Sequence, residues 1–264
     1  MLKQRTLTAL VLFALAGLVL FKASNATFAA CSWLMCLIAI YELAKMYQFK
    51  IWQTVLLLVF NTSIVLIISK INYDFSQIIR IATIVTWCFA VPLILLFMPQ
   101  KFGKLTISIL SILLFLPAYY AMIVINSLLG PWQLISIMAI AWVADTGAYF
   151  VGRTLGKHKL APKISPGKSI EGAIGGIVLV TIYLFTLSYT KYALYLPSLK
   201  TAFKFAIILT IVSIMGDLFE SWLKRVAKVK DSGTILPGHG GVFDRIDSLI
   251  AVLAIAFAMI RGML

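Results

Sequence analysis

The chain has 264 residues, 62% of them hydrophobic and only 12% charged, whereas an average soluble domain is about 25% charged. A mean hydropathy of +1.02 excludes an ordinary soluble globular protein, and it excludes disorder, because disordered chains lack the apolar surface present here in excess. The formal charge of +14, from 23 Lys+Arg against 9 Asp+Glu, sets topology or meets anionic lipid in such a chain, and no nucleic-acid partner is expected.

Windows of roughly 20 residues, the length that crosses the hydrocarbon core, predict an all-α integral membrane protein with about nine transmembrane helices. In chain order they cover 6–21, 27–46, 51–69, 78–98, 105–126, 132–151, 173–190, 202–223 and 246–260. The first could instead be a signal peptide, since Lys3 and Arg5 precede it and Ala23-Ser24-Asn25-Ala26 follows. Cys31, Cys36 and Cys88 all sit in apolar runs without metal-ligand spacing and read as packing residues.

In this nine-span reading the N-terminus and the even-numbered loops carry 16 of the Lys and Arg residues and the other side carries 7. The positive-inside rule therefore puts the N-terminus and the even loops in the cytoplasm, for a multi-pass protein of the cell's inner or plasma membrane. All loops are short, so 1–264 reads as a single polytopic domain. Spans within 1–130 carry no motif, and 131–264 carries the polar residues. Gly172 and Gly176 form a GxxxG at the start of the seventh span, which predicts close helix packing.

Seven of the nine acids lie from Asp145 onward: Asp145, Glu171, Asp217, Glu220, Asp231, Asp244 and Asp247. An ionisable residue inside a span is a functional hypothesis by default, and these gather around two cytoplasmic loops near 152–172 and 224–245. From Asp217, helical spacing puts Glu220, Ser221 and Lys224 on one face. Asp244 and Asp247 are an i, i+3 pair at the start of the last span, where they could cap the helix or act as ligands. Three carboxylates converging at a membrane surface repel one another unless a cation lies between them, and hard oxygen ligands suit Mg²⁺ bridging to phosphates.

Cationic and backbone donors surround the acids. Lys224, Arg225, Lys228 and Lys230 lead to Gly233 and then Pro237-Gly238-His239-Gly240-Gly241, whose glycines permit an anion-binding turn. The first loop offers Lys163, Ser165, Gly167-Lys168-Ser169 and Glu171. A Walker A loop is rejected there, because Pro162 stands where GxxxxGK[ST] needs glycine and no strand is expected before it, yet a helix N-terminus beside lysines still suits phosphate.

The run from Ser221 through Lys224, Arg225, Lys230, Asp231, Gly233, Pro237, His239, Gly240, Gly241, Asp244 and Arg245 to Asp247 resembles the signature of the phosphatidate cytidylyltransferases, also called CDP-diacylglycerol synthases. Residues 163–172, Asp145-Thr146-Gly147 and the multi-span layout are similar to that family too. The resemblance implies that CTP and phosphatidate give CDP-diacylglycerol and pyrophosphate, with Mg²⁺ and a second, monovalent cation such as K⁺, in a homodimer embedded in membrane lipid. In that reading Asp217, Asp244, Asp247 and Asp145 hold metal. Lys224, Arg225, His239 and Arg245, with Gly240 and Gly241, bind nucleotide phosphates, and Lys163, Ser165, Lys168 and Glu171 contact substrate. The physical need agrees: joining two anionic partners calls for divalent metal and cationic donors more than for a protein nucleophile.

Two other readings compete. An ion-coupled transporter also carries intramembrane acids, but near the bilayer midplane and in repeated halves. A related lipid enzyme, such as a CTP-using polyprenol kinase or an archaeal-type CDP-lipid synthase, would share the nucleotide and differ in acceptor.

Overall fold

The computed structural model describes residues 2–71, 74–193, 195–196, 198–236, 238 and 240–261. Helices α1 (Leu2–Lys22), α2 (Asn25–Met46) and α3 (Ile51–Lys70) come first. Next are α4 (Ser76–Ile84) and α5 (Val91–Phe97), joined by a π-helical turn at Val85–Ala90, then α6 (Lys104–Leu129) and α7 (Pro131–Leu155). A hairpin of β1 (Lys159–Ala161) and β2 (Ser165–Ser169) precedes α8 (Ile170–Ser188), α9 (Leu199–Val226) and α10 (Phe243–Arg261).

Helix is what apolar runs of this length form in lipid, because it satisfies every backbone polar group within its own segment. Local signals set the ends. Ser24, Ser169 and Ser198 cap α2, α8 and α9 by accepting from the backbone N–H three residues on, and Pro131 opens α7, where its missing N–H is harmless. Pro92 is the second residue of α5, just past the π-helical turn, where the regular hydrogen-bond ladder is already shifted.

Each of the nine expected spans falls on helix. Among the described residues seven stretches are long and apolar enough to cross a membrane: α2, α3, the continuous Ser76–Phe97, α6, α7, α8 and α9. α1 and α10 are not among them, α10 carrying Asp244, Arg245 and Asp247 at its start. The all-helical expectation holds with one addition, the antiparallel hairpin, in which Lys159 pairs with Ser169 and Ala161 with Ser165.

α10 is the hub. Its side chains from Leu249 to Phe257 are buried, and aromatic edges pack α6 against it, Phe115 on Phe243 at 5.3 Å and Tyr120 on Phe257 at 5.5 Å. α7 and α8 pack with their backbones close together. A Cβ on Gly172 would sit 2.8 Å from the Ala148 carbonyl oxygen, and one on Gly176 would sit 3.0 Å from that of Ala144, so the GxxxG spacing does bring two backbones together. Cys36 is buried as expected, whereas Cys88 is exposed; all three cysteines are free.

Candidate active site

The C-terminal ends of α2, α7 and α9 meet the hairpin and the N-terminal ends of α8 and α10 at one end of the bundle. The acids gathered there form two adjoining clusters.

In the first, Lys168 on β2 places its ammonium 2.5 Å from Asp217 Oδ2 on α9, and Ser221 Oγ donates to Asp217 Oδ1 at 3.2 Å. Asp145 on α7 and Asp247 on α10 lie within electrostatic range of both Asp217 and Lys168. The convergence depends on helix spacing: a Cβ on Gly216 would stand 2.6 Å from the Asp247 carbonyl oxygen, so glycine at this position lets α9 and α10 approach. Asp145, Lys168 and Asp217 line a cavity of about 550 Å³ between α7, α8, α9 and the hairpin, together with Tyr149, Arg153, Gly167 and Ser169.

The second cluster centres on Asp244. Its carboxylate accepts from Lys224 Nζ at 2.7 Å, from the backbone N–H of Ser232 at 3.0 and 3.2 Å, and from that of Gly241 at 2.8 Å. Lys224 also pairs with Glu220 Oε2 at 2.5 Å, four residues earlier on α9. Glu220 is buried and lies within electrostatic range of Asp247, which puts the clusters side by side. Gly240, with φ of 83°, turns the loop into α10 in a conformation that glycine adopts without a side-chain penalty.

Of the three acids expected to converge, Asp217 and Asp247 come together with Asp145, while Asp244 is engaged by the signature loop. Among the described residues no group of three or more His, Cys, Asp or Glu is arranged as a ready metal cage. Mg²⁺ keeps several waters and takes one or two carboxylates plus substrate phosphates, and the hard oxygen donors of the first cluster fit it.

The remaining expected residues divide. Arg225 Nε reaches the Ile164 carbonyl of the hairpin turn at 3.5 Å, and Arg245 is exposed at the start of α10. Lys163 is exposed in the turn and Ser165 begins β2; neither lines the cavity. Glu171 accepts from the backbone N–H groups of Lys157 and His158 and pairs with His158 Nδ1 at 2.6 Å, so it braces the loop before the hairpin. His239 lies outside the described residues. A strand, β1, does precede Gly167-Lys168-Ser169, contrary to expectation. These residues are themselves in β2 rather than in a phosphate-wrapping loop, and with Pro162 in the glycine's place the rejection of a Walker A site stands.

One buried acid escapes the sequence reading. Glu42 on α2 is 1% exposed and accepts hydrogen bonds from the second cluster's loop. The rule that flags Asp145, a charge inside a predicted span, applies equally to Glu42.

Carboxylates, lysines and a glycine loop gathered at one end of a bundle of apolar helices are the groups that chemistry on phosphates calls for. The family model described as "Cytidylyltransferase family" matches residues 3–263. A phosphatidate cytidylyltransferase of Pseudomonas aeruginosa is 35% identical over 98% of this chain and 97% of its own length. Those of Haemophilus influenzae, 47% identical over 47% of this chain and 44% of its own, and Thermotoga maritima, 40% over 56% and 53%, match over shorter stretches. The chain belongs to the cytidylyltransferase family and is a nucleotidyltransferase.

Proposed function

We propose that this chain transfers the cytidylyl group of CTP to phosphatidate, giving CDP-diacylglycerol and pyrophosphate, as the name of its full-length Pseudomonas relative suggests. The observation that carries the reading is the union, at one end of a bundle of apolar helices, of Asp145, Asp217 and Asp247 with Lys168 beside a cavity of about 550 Å³.

The phosphatidate phosphate oxygen attacks the α-phosphorus of CTP, the bond to the β-phosphate oxygen breaks, and pyrophosphate leaves. Asp217 and Asp247, with Asp145, would hold Mg²⁺, which supplies charge neutralisation for the phosphates and the departing pyrophosphate. Lys168 and Arg153, at the cavity wall, orient the phosphatidate headgroup. Gly240, Gly241, Arg225, Arg245 and His239 take the nucleotide phosphates, while Lys224 and Asp244 hold the loop that carries them. No protein nucleophile is needed, because the lipid brings its own. A second, monovalent cation such as K⁺ would sit beside the same carboxylates.

With the nine spans read from the hydropathy windows, the distribution of Lys and Arg supports a cytoplasmic N-terminus and a site facing the cytoplasm of the inner or plasma membrane, and the family resemblance supports a homodimer. The test is a mixed-micelle assay of purified protein with labelled CTP, phosphatidate and Mg²⁺. Equal amounts of CDP-diacylglycerol and pyrophosphate, lost on chelation, are expected. No product from a folded protein sinks the reading.

A further inference from the structure

Glu42 belongs to the half of the chain that carries no sequence motif, yet its carboxylate is among the most engaged in the molecule. Oε1 accepts from the Val242 N–H at 3.0 Å, and Oε2 accepts from the Phe243 N–H at 2.8 Å and from Ser232 Oγ at 3.0 Å. Ser232 in turn donates its backbone N–H to Asp244, and its Oγ accepts from the Asp244 N–H at 3.3 Å. A single carboxylate on α2 therefore holds both ends of the loop that runs from Ser232 to the start of α10. The fit leaves no spare room, because a Cβ on Gly241 would come within 2.5 Å of Glu42 Oε2.

Burying a carboxylate is unfavourable unless it is well hydrogen-bonded. Here the compensation comes from the unpaired N–H groups at the start of α10, the positive end of that helix. Helices are ordinarily capped by their own neighbouring Ser, Asp or Asn, and an apolar contact between α2 and α10 would serve stability without burying charge. What the carboxylate adds is direction. It fixes where α10 begins, and so where Asp244 and, three residues on, Asp247 are presented.

We infer that Glu42 is a positioning residue for nucleotidyl transfer, clamping the glycine loop and the first turn of α10 so that the nucleotide-binding groups and Asp247 are held in register. This rests on the function proposed above, in which that loop takes the nucleotide phosphates. Replacing the carboxylate by Gln puts an NH₂ group against a backbone or hydroxyl donor, which loosens the clamp while keeping its volume.

The test compares wild type with Glu42→Gln, Glu42→Asp and Ser232→Ala, each purified in detergent. It reads thermal unfolding, CTP binding by equilibrium dialysis without phosphatidate, and KM for each substrate separately. Loss of an outer hydrogen-bond partner typically weakens a site by about tenfold to a hundredfold. That is the expected rise in Kd and KM for CTP in Glu42→Gln, with KM for phosphatidate within about twofold of wild type. Ser232→Ala should move CTP binding in the same direction by less, Glu42→Asp should recover part of the loss, and the Gln/Ala double variant should be no worse than Glu42→Gln alone. CTP binding equal to wild type in folded Glu42→Gln overturns the inference. If that variant does not fold, unaltered CTP binding in Ser232→Ala does so. A wild type that makes no CDP-diacylglycerol overturns the underlying function instead, a separate result from an active wild type matched by its variants.

Discussion

α3 and α10 are both apolar rods of similar length, 20 and 19 residues, and they do opposite things. α3 buries only Thr54, Leu57, Asn61 and Val65, and turns Ile51, Trp52, Leu56 and Phe60 outward, as a helix surrounded by lipid can. α10 carries three charges at its start, yet from Leu249 to Phe257 it is enclosed by protein. Hydropathy windows read both as spans, but the charges at the start of α10 keep it out of the set of long apolar helices to which α3 belongs. A helix wrapped by other helices does not need a lipophilic surface of its own, so it can carry charged residues at its start.

The sharpest way to break this contrast is to remove a carboxylate where α9 meets α10. Asp217→Asn or Asp247→Asn should lower turnover by roughly a thousandfold, the scale on which single groups that stabilise developing charge are felt. The variants should insert and melt as wild type does, and near wild-type turnover in either would remove the metal assignment. Lys168→Ala should cost about a hundredfold. Because Lys168 and Asp217 keep 24% and 29% of their side-chain exposure, solvent screens part of their ion pair, so the loss should appear more in turnover and phosphatidate KM than in Tm. A fall in Tm without a kinetic effect would make Lys168 a fold residue.

These residues also mark how far the sequence could be read. Asp145, Asp217 and Asp247 were legible because acids inside apolar helices are costly and so stand out, and because i, i+3 spacing is fixed by helix geometry. The separation of Asp244 from them was not, since it depends on Lys224 and on backbone N–H groups of Ser232 and Gly241, and loop backbone carries no spacing signal. Glu42, inside the predicted span 27–46, was open to the same rule as Asp145; its role was what the chain hid. Its partners are donors in another segment, 190 to 201 positions away, and nothing near it in the chain hints at them. The hairpin escaped because β1 has three residues and β2 contains Pro166 and Gly167, too short and too turn-like for a period-two pattern to register.

Packing predictions extend the comparison to the interior. Phe257→Ala opens a hole where α10 meets Tyr120 of α6, and a large-to-small change in a close-packed core costs about 3 to 5 kcal/mol. Detergent melts should drop accordingly, and an unchanged melt would mean that α10 is not the hub.

The smallest effect is expected on α3, where two adjacent positions make the contrast within one helix turn. Phe60 is 56% exposed and faces outward; in Phe60→Ala lipid or detergent chains take the place of the ring, and because hydrocarbon is as apolar as the side chain it replaces, no hydrophobic penalty accompanies the change. Activity should stay within about twofold of wild type and Tm should barely move, since outward substitutions fall within about 0.5 kcal/mol. Asn61, the next residue, is 2% exposed and donates to the Leu57 carbonyl at 2.9 Å and to Ser111 Oγ on α6 at 3.2 Å. Asn61→Leu removes that interhelical bond, which in membranes averages about 0.6 kcal/mol, and also forces a branched side chain into a filled site. It should therefore destabilise more than Phe60→Ala despite being the more hydrophobic substitution. Melting both variants in the same detergent decides it: if Phe60→Ala is the less stable, α3 packs against protein on its outward face, and the division between a lipid-facing α3 and an enclosed α10 fails.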